Sequence, residues 1–155
     1  MRTVEIFIDT GIKGPKPRDG LYMYIMATET SSGTADVGNS GYLEDTTEHK
    51  ATLVALEEAL KRMKQPCQLE IYLEDSYVAA VLVNGWIKGW QENGWLNAKK
   101  EPVADKEKWS SIQYLLNAHA FQIHIKEHHS YREWMARTIK EKEEAYREEK
   151  RKRGT

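Results

Sequence analysis

Three strand-like runs, the first with a clear two-residue period, follow one another before the first helical run, and each later strand is reached through helical sequence. Val4, Ile6 and Ile8 alternate with Thr3, Glu5, Phe7 and Asp9, which predicts a strand over 3–9. Leu21 to Thr30, rich in Tyr, Met and Ile, predicts a second. The Ser31-Ser32-Gly33 turn then leads into a weaker third strand ending near Leu43. A helix is expected over about 48–64, with Leu53, Leu56, Leu60 and Met63 at helical spacing and Pro66 as its stop. Strands at 69–73 and 121–125, and helices at 76–84, about 106–117 and beyond Ser130, complete the pattern. A meander followed by strands reached through helices implies a five-stranded mixed sheet flanked by helices, an α/β fold.

Length and composition agree with one domain able to bury a real core, since the chain has 155 residues, 40% hydrophobic and 30% charged. No apolar run approaches the roughly 18 residues of a membrane span. Glu5 inside the first apolar stretch argues against a signal peptide, and Cys67 is the single cysteine. A reducing, cytoplasmic setting is therefore expected, with Cys67 a small buried residue and not a nucleophile. From about Ile139 the chain is almost wholly charged. The expected division is a domain over 1–140 and a charged helical extension over 141–155 that frays into solvent.

Acidic residues fall at the ends of elements. Asp9 ends the first strand, Glu48 opens the long helix, Glu74-Asp75 follow the fourth strand, and Glu133 lies in the first turn of the last helix. Glu48 shares a helix face with the small residues Thr52, Ala55 and Ala59, so it points inward. Carboxylates from distant elements are what a divalent-cation site needs. Each also has a plainer reading: Glu48 suits any helix N-terminus, and Glu133 would complete a capping box with Ser130. The segment from Trp86 to Trp95 is aromatic and basic, broken by glycines, with Lys88, Lys99, Lys100 and Lys106 in or near it. Aromatic faces for sugar or base and lysines for phosphate make a nucleic-acid surface. Trp90 and Trp95 are expected to be exposed there, with Trp109 and Trp134, and partly Trp86, in the core. His119, His124, His128 and His129 show no zinc spacing, and Gly11 and Gly14 read as turn glycines.

These residues resemble type 1 ribonuclease H over about 2–140. The resemblance is carried by Ile6-Phe7-Ile8-Asp9, by Thr46-Thr47-Glu48 leading into Leu53-Val54-Ala55-Leu56-Glu57, and by Tyr77-Val78 after a strand-terminal acid. It is carried most specifically by Trp86-Ile87-Lys88-Gly89-Trp90, Asn93-Gly94-Trp95, Pro102-Val103 and Trp109, which match the family's substrate-binding handle. The resemblance implies catalytic carboxylates at Asp9, Glu48, Glu74 and Glu133, with Asp75 replacing Glu74 if the chain is aligned on Asp75-Ser76. It further implies a mobile histidine at His128, with His129 as competitor, and nucleic-acid contacts at Thr47, Trp86, Lys88, Trp90, Trp95, Lys99, Lys100 and Lys106. Departures are Asp9-Thr10-Gly11 for the usual Asp-Gly-Ser, and Glu44-Asp45 where the family has asparagines that contact the RNA strand.

The implied activity is endonucleolytic cleavage of the RNA strand of RNA–DNA hybrids, leaving 5′-phosphate and 3′-hydroxyl, by a monomer that needs no membrane. Two Mg²⁺ ions, with Mn²⁺ tolerated, would clamp the attacking and leaving oxygens. Two other readings stay open: a nuclease of this fold acting on another nucleic acid, and a catalytically weakened nucleic-acid-binding module.

Overall fold

The computed structural model describes residues 1–154. Its elements are β1 (Arg2–Thr10), β2 (Arg18–Thr30), β3 (Gly33–Thr46), α1 (Glu48–Lys61), β4 (Cys67–Leu73), α2 (Ser76–Asn84), α3 (Trp86–Glu92), α4 (Lys106–Leu116), β5 (Ala120–Ile125) and α5 (Arg132–Arg153). The strands form one sheet in the order β3-β2-β1-β4-β5. β1 runs antiparallel to β2 and parallel to β4, while β2–β3 is antiparallel and β4–β5 parallel. This is the mixed sheet the strand order implied. No helix among the described residues is long and apolar enough to cross a membrane.

Alternation along the strands separates two cores. Val4, Ile6 and Ile8 join Tyr22, Tyr24, Met26, Leu69, Ile71 and Leu73 on the face covered by α1, α2 and α4. α1 contributes Leu53, Ala55, Leu56, Ala59 and Leu60 to that face. Phe7 points the other way, with Leu21, Met23, Ile25 and Ala27, and meets Met135 and Ile139 of α5. β1 is therefore buried on both faces and paired on both edges. Past Ile6, Phe7 and Ile8, which are all buried, the next carboxylate that reaches solvent is Asp9, near the end of the strand.

Four features depart from the sequence expectation. α1 stops at Lys61, where Arg62 and Met63 donate to Ala59 and Leu60 in a tightened last turn. The handle holds a short helix, α3, which runs through Gly89 after the left-handed Gly85 turns the chain out of α2. α5 starts at Arg132, preceded by Tyr131 with no side-chain cap, so Ser130 and Glu133 form no capping box. Finally, α5 continues packed well beyond Ile139: Glu143 is buried and Tyr146 stacks on Tyr42 with ring centroids 3.7 Å apart.

Glu143 explains why the charged helix stays on the sheet. Its Oε2 accepts from the Leu21 backbone N–H at 2.9 Å, in a niche that is 6% exposed. A Cβ on Gly20 would lie 2.6 Å from that oxygen, and one on Gly11 would overlap the carboxylate. Gly11 is thus a packing glycine, whereas Gly14, at φ 89°, is a turn glycine as expected. Glu143→Ala leaves the buried Leu21 N–H without its charged acceptor and should cost about 1.5–3 kcal/mol. Urea unfolding checks this, and an unchanged midpoint would show that α5 beyond Ile139 does not hold to the sheet.

Candidate active site

Asp9 and Glu74 reach the same side of the sheet by the same rule. Each follows an α5-facing residue (Phe7 and Tyr72) by two positions, at the ends of the parallel neighbours β1 and β4. Lys13 donates to Asp9 Oδ1 at 2.7 Å, and Arg132 Nη2 donates to Glu74 Oε1 at 2.7 Å. Asp9 also lies in the field of Arg132. Glu48, the first residue of α1, accepts from the Gly14 N–H at 3.3 Å and so meets the loop that carries Lys13. Glu133 is exposed in the first turn of α5, next to Arg132.

Asp75 turns away from this group. Its Oδ1 accepts from Tyr77 and Val78 N–H at 2.9 and 3.1 Å, making it the N-cap of α2, and its Oδ2 lies 2.6 Å from His49 Nδ1. Burial alone would push the Asp75 carboxyl up, but the bonds from His49 and the α2 backbone outweigh it and hold the group below the usual carboxylate range. The same bond raises His49 above the ordinary imidazole value against the pull of its own burial. Of the two acids after β4, only Glu74 shares a side with Asp9.

His128 is exposed on the loop before α5. His129 is half-buried with its ring 4.3 Å from Phe7, and burial lowers its pKa although Glu74 and Asp9 pull the other way. The remaining histidines have structural partners. His124 bridges Glu70 and Glu127 at 2.8 Å each, and His119 Nδ1 accepts from the Cys67 N–H.

The handle is part platform and part core. Trp109 is buried as expected, and Trp90 packs edge-on against it at 5.7 Å and lies 6.4 Å from Trp95. Trp90 and Trp95 are thus partly buried against the core, not fully exposed. Trp86 is the open one at 42%, and Trp134 is 47% exposed on α5, against the expectation of a core position. Helical phase puts Met135 and Ile139 on the sheet and leaves Trp134 outside. Lys88, Lys99, Lys100 and Lys106 are all exposed. Lys99 and Lys100 ride on a turn in which Asn97 Oδ1 accepts from the N–H groups of Lys99 and Glu101. Thr47 is half-buried and caps α1, its Oγ1 accepting from the Lys50 N–H at 3.2 Å.

A family model described as RNase H matches residues 1–142. The chain belongs to the ribonuclease H family. The ribonuclease H of Acetivibrio thermocellus is 33% identical over 129 residues, covering 83% of this chain and 84% of that one. Among solved structures, LC9-RNase H1, described as a type 1 RNase H with the type 2 active-site motif, superposes with a TM-score of 0.68 at 14% identity. That match covers 83% of this chain and 64% of the other. LC11-RNase H1, solved in complex with an RNA/DNA hybrid, gives a TM-score of 0.51 at 18% identity and covers 80% and 86% of the two chains. The last two likenesses concern the fold.

This ribonuclease H is a hydrolase of the nuclease class. Its family depends on metal, and the acids at the strand ends suit that chemistry, being all-oxygen donors of the kind hard divalent cations prefer. Among the described residues, no three His, Cys, Asp or Glu side chains stand together tightly enough to hold one ion. Asp9 and Glu74 are instead paired with Lys13 and Arg132, at 2.7 Å each. Both cations are at least a third exposed, so they can swing away. Lys13, Arg132 and His49 were not singled out in the sequence. Lys13 could have been found as the i,i+4 partner of Asp9, while the other two bonds cross between elements.

The tryptophans divide by burial. Trp90→Ala should cost about 2–3 kcal/mol in urea unfolding, somewhat below a fully buried Trp, whereas Trp86→Ala should stay within about 1 kcal/mol. Equal losses would contradict this division of the handle.

Proposed function

We propose that this ribonuclease H is an endonuclease that hydrolyses the RNA strand of RNA–DNA hybrids through a pair of divalent cations, Mg²⁺ or Mn²⁺. The observation that carries the reading is the placement of Asp9 and Glu74 on one side of the sheet at the ends of adjacent parallel strands, beside the α5 turn bearing Glu133 and the loop that meets Glu48. Asp9, Glu48, Glu74 and Glu133 are the residues that would hold the cations, which when bound supply charge for the attacking and leaving oxygens. Asp75 is left out of this set because both of its oxygens are engaged.

The chain's own groups do the remaining work. Lys13 and Arg132 release Asp9 and Glu74 and stay close enough to oppose the negative charge of the substrate. His128, on its exposed loop, is free to move a proton or assist product release, while His129 stays packed on Phe7. Trp86 offers a ring to the duplex backbone, and Lys88, Lys99, Lys100 and Lys106 oppose its phosphates, so binding should weaken steeply with salt. Thr47, Trp90 and Trp95 shape this surface from below. The buried lone thiol of Cys67 fits a cytoplasmic monomer.

A second reading, in which another duplex is the substrate, rests on Glu44 and Asp45. Asp45 is held at φ 46° with its N–H on Asp19, so the rim beside α1 is acidic where the family carries asparagines.

End-labelled hybrid, DNA duplex and RNA duplex, incubated with Mg²⁺, Mn²⁺ or a chelator, separate these readings. The expected result is metal-dependent cutting of the RNA strand in the hybrid, lowered on the order of a hundredfold or more in Asp9→Asn and Glu133→Gln. Either metal should also raise the melting temperature of the parent protein by relieving carboxylate repulsion. Cutting of another duplex in preference to the hybrid would transfer the assignment to the second reading. Full activity with chelator, or in Asp9→Asn, would overturn the site.

A further inference from the structure

We propose that His49, held by Asp75, is a substrate-touching residue that grips the sugar–phosphate backbone of the bound strand between the carboxylates and the handle. The inference rests on the reading above that the substrate is nucleic acid.

Asp75 does more than a cap requires. An N-cap needs one oxygen, and Ser or Thr would supply it. Here Oδ1 alone serves the Tyr77 and Val78 N–H groups. Oδ2 belongs to His49, in a residue only 3% exposed. Burying a carboxylate to orient a ring that is itself 48% exposed adds little to stability, because the desolvation cost opposes the gain. What it does supply is a fixed ring. A carboxylate only accepts, so Nδ1 must carry the shared proton, and the Nε2 edge is the one left to face outward. Nε2 makes no hydrogen bond to the described protein.

The surroundings say what that edge faces. His49 follows Glu48 on α1, and its ring lies 4.6 Å from Tyr77. Tyr77 lies 6.4 Å from Trp86, the open ring of the handle. His49, Tyr77 and Trp86 form an exposed row from the mouth of the carboxylate site to the start of α3. Three partly exposed rings, one presenting a polar nitrogen, suit a sugar–phosphate chain lying along them: faces against sugars, Nε2 on a backbone oxygen. A backbone contact at this point would set the strand's register relative to Glu48.

The test separates His49 from its structural surroundings. Steady-state cleavage of a labelled hybrid should show His49→Ala raising KM about tenfold with kcat within about twofold. Asp75→Ser keeps the cap but cannot reach His49, so its melting temperature should stay near the parent's while KM rises as in His49→Ala. The double variant should be no worse than either single one, because both remove the same contact. Hybrid binding by fluorescence anisotropy, with divalent ions chelated, should show the same losses. An unchanged KM and affinity in His49→Ala would overturn the inference, as would fully additive losses in the double variant. If the parent cleaves and binds hybrid normally, that failure belongs to His49 alone. If the parent neither binds nor cleaves it, both this inference and the function beneath it fall.

Discussion

β1 is hydrogen-bonded on both edges and packed on both faces, and this double burial governs what the rest of the molecule can be. The stretch with Ile6 and Ile8 in one core and Phe7 in the other has no position for a charge, and the acids Glu5 and Asp9 flank it. Asp9 stands near the end of the strand, and β4, running parallel in register with it, is followed by Glu74 on the same side. Parallel pairing requires a crossover, so α1 must cross one face and return. That crossover begins with Glu48, which is why its carboxylate meets the loop following β1.

Alternation then decides between neighbouring acids. Glu74 and Asp75 are adjacent in sequence, yet one meets Arg132 on the α5 side and the other caps α2 and holds His49. The two acids have different chemistry because the chain turns from strand to helix between them. One stays partly exposed and paired with Arg132, itself partly exposed. The other is buried, satisfied on both oxygens and fixed. The same division runs through the handle, where Trp109 and Trp90 build the support and Trp86 presents the open face.

α5 ties these parts together. Its first turn sets Arg132 on Glu74, its middle closes the second core with Met135 and Ile139, and Glu143 reaches the Leu21 backbone between two glycines. Charge pattern alone made this half of the helix look like a solvated tail. A buried carboxylate serving one backbone donor carries no periodic signal, so only the assembled sheet reveals it.

Much of the fold was legible in the residues, since periods of two and 3.6 are local properties that survive into the structure. The order of strands and helices, the inward stripe of α1 and the acids at element ends all follow from spacing within single elements. The positions of the tryptophans, the end of α5 and the partners of the acids do not. Trp134 points outward because Met135 and Ile139 claim the sheet, and Asp75 belongs to His49 because α1 and α2 begin side by side. The sequence by itself determined which groups exist and where along each element they stand. Only tertiary structure decided which of them face one another, because contacts between elements depend on how strands cross and helices pack, and no local pattern carries that information.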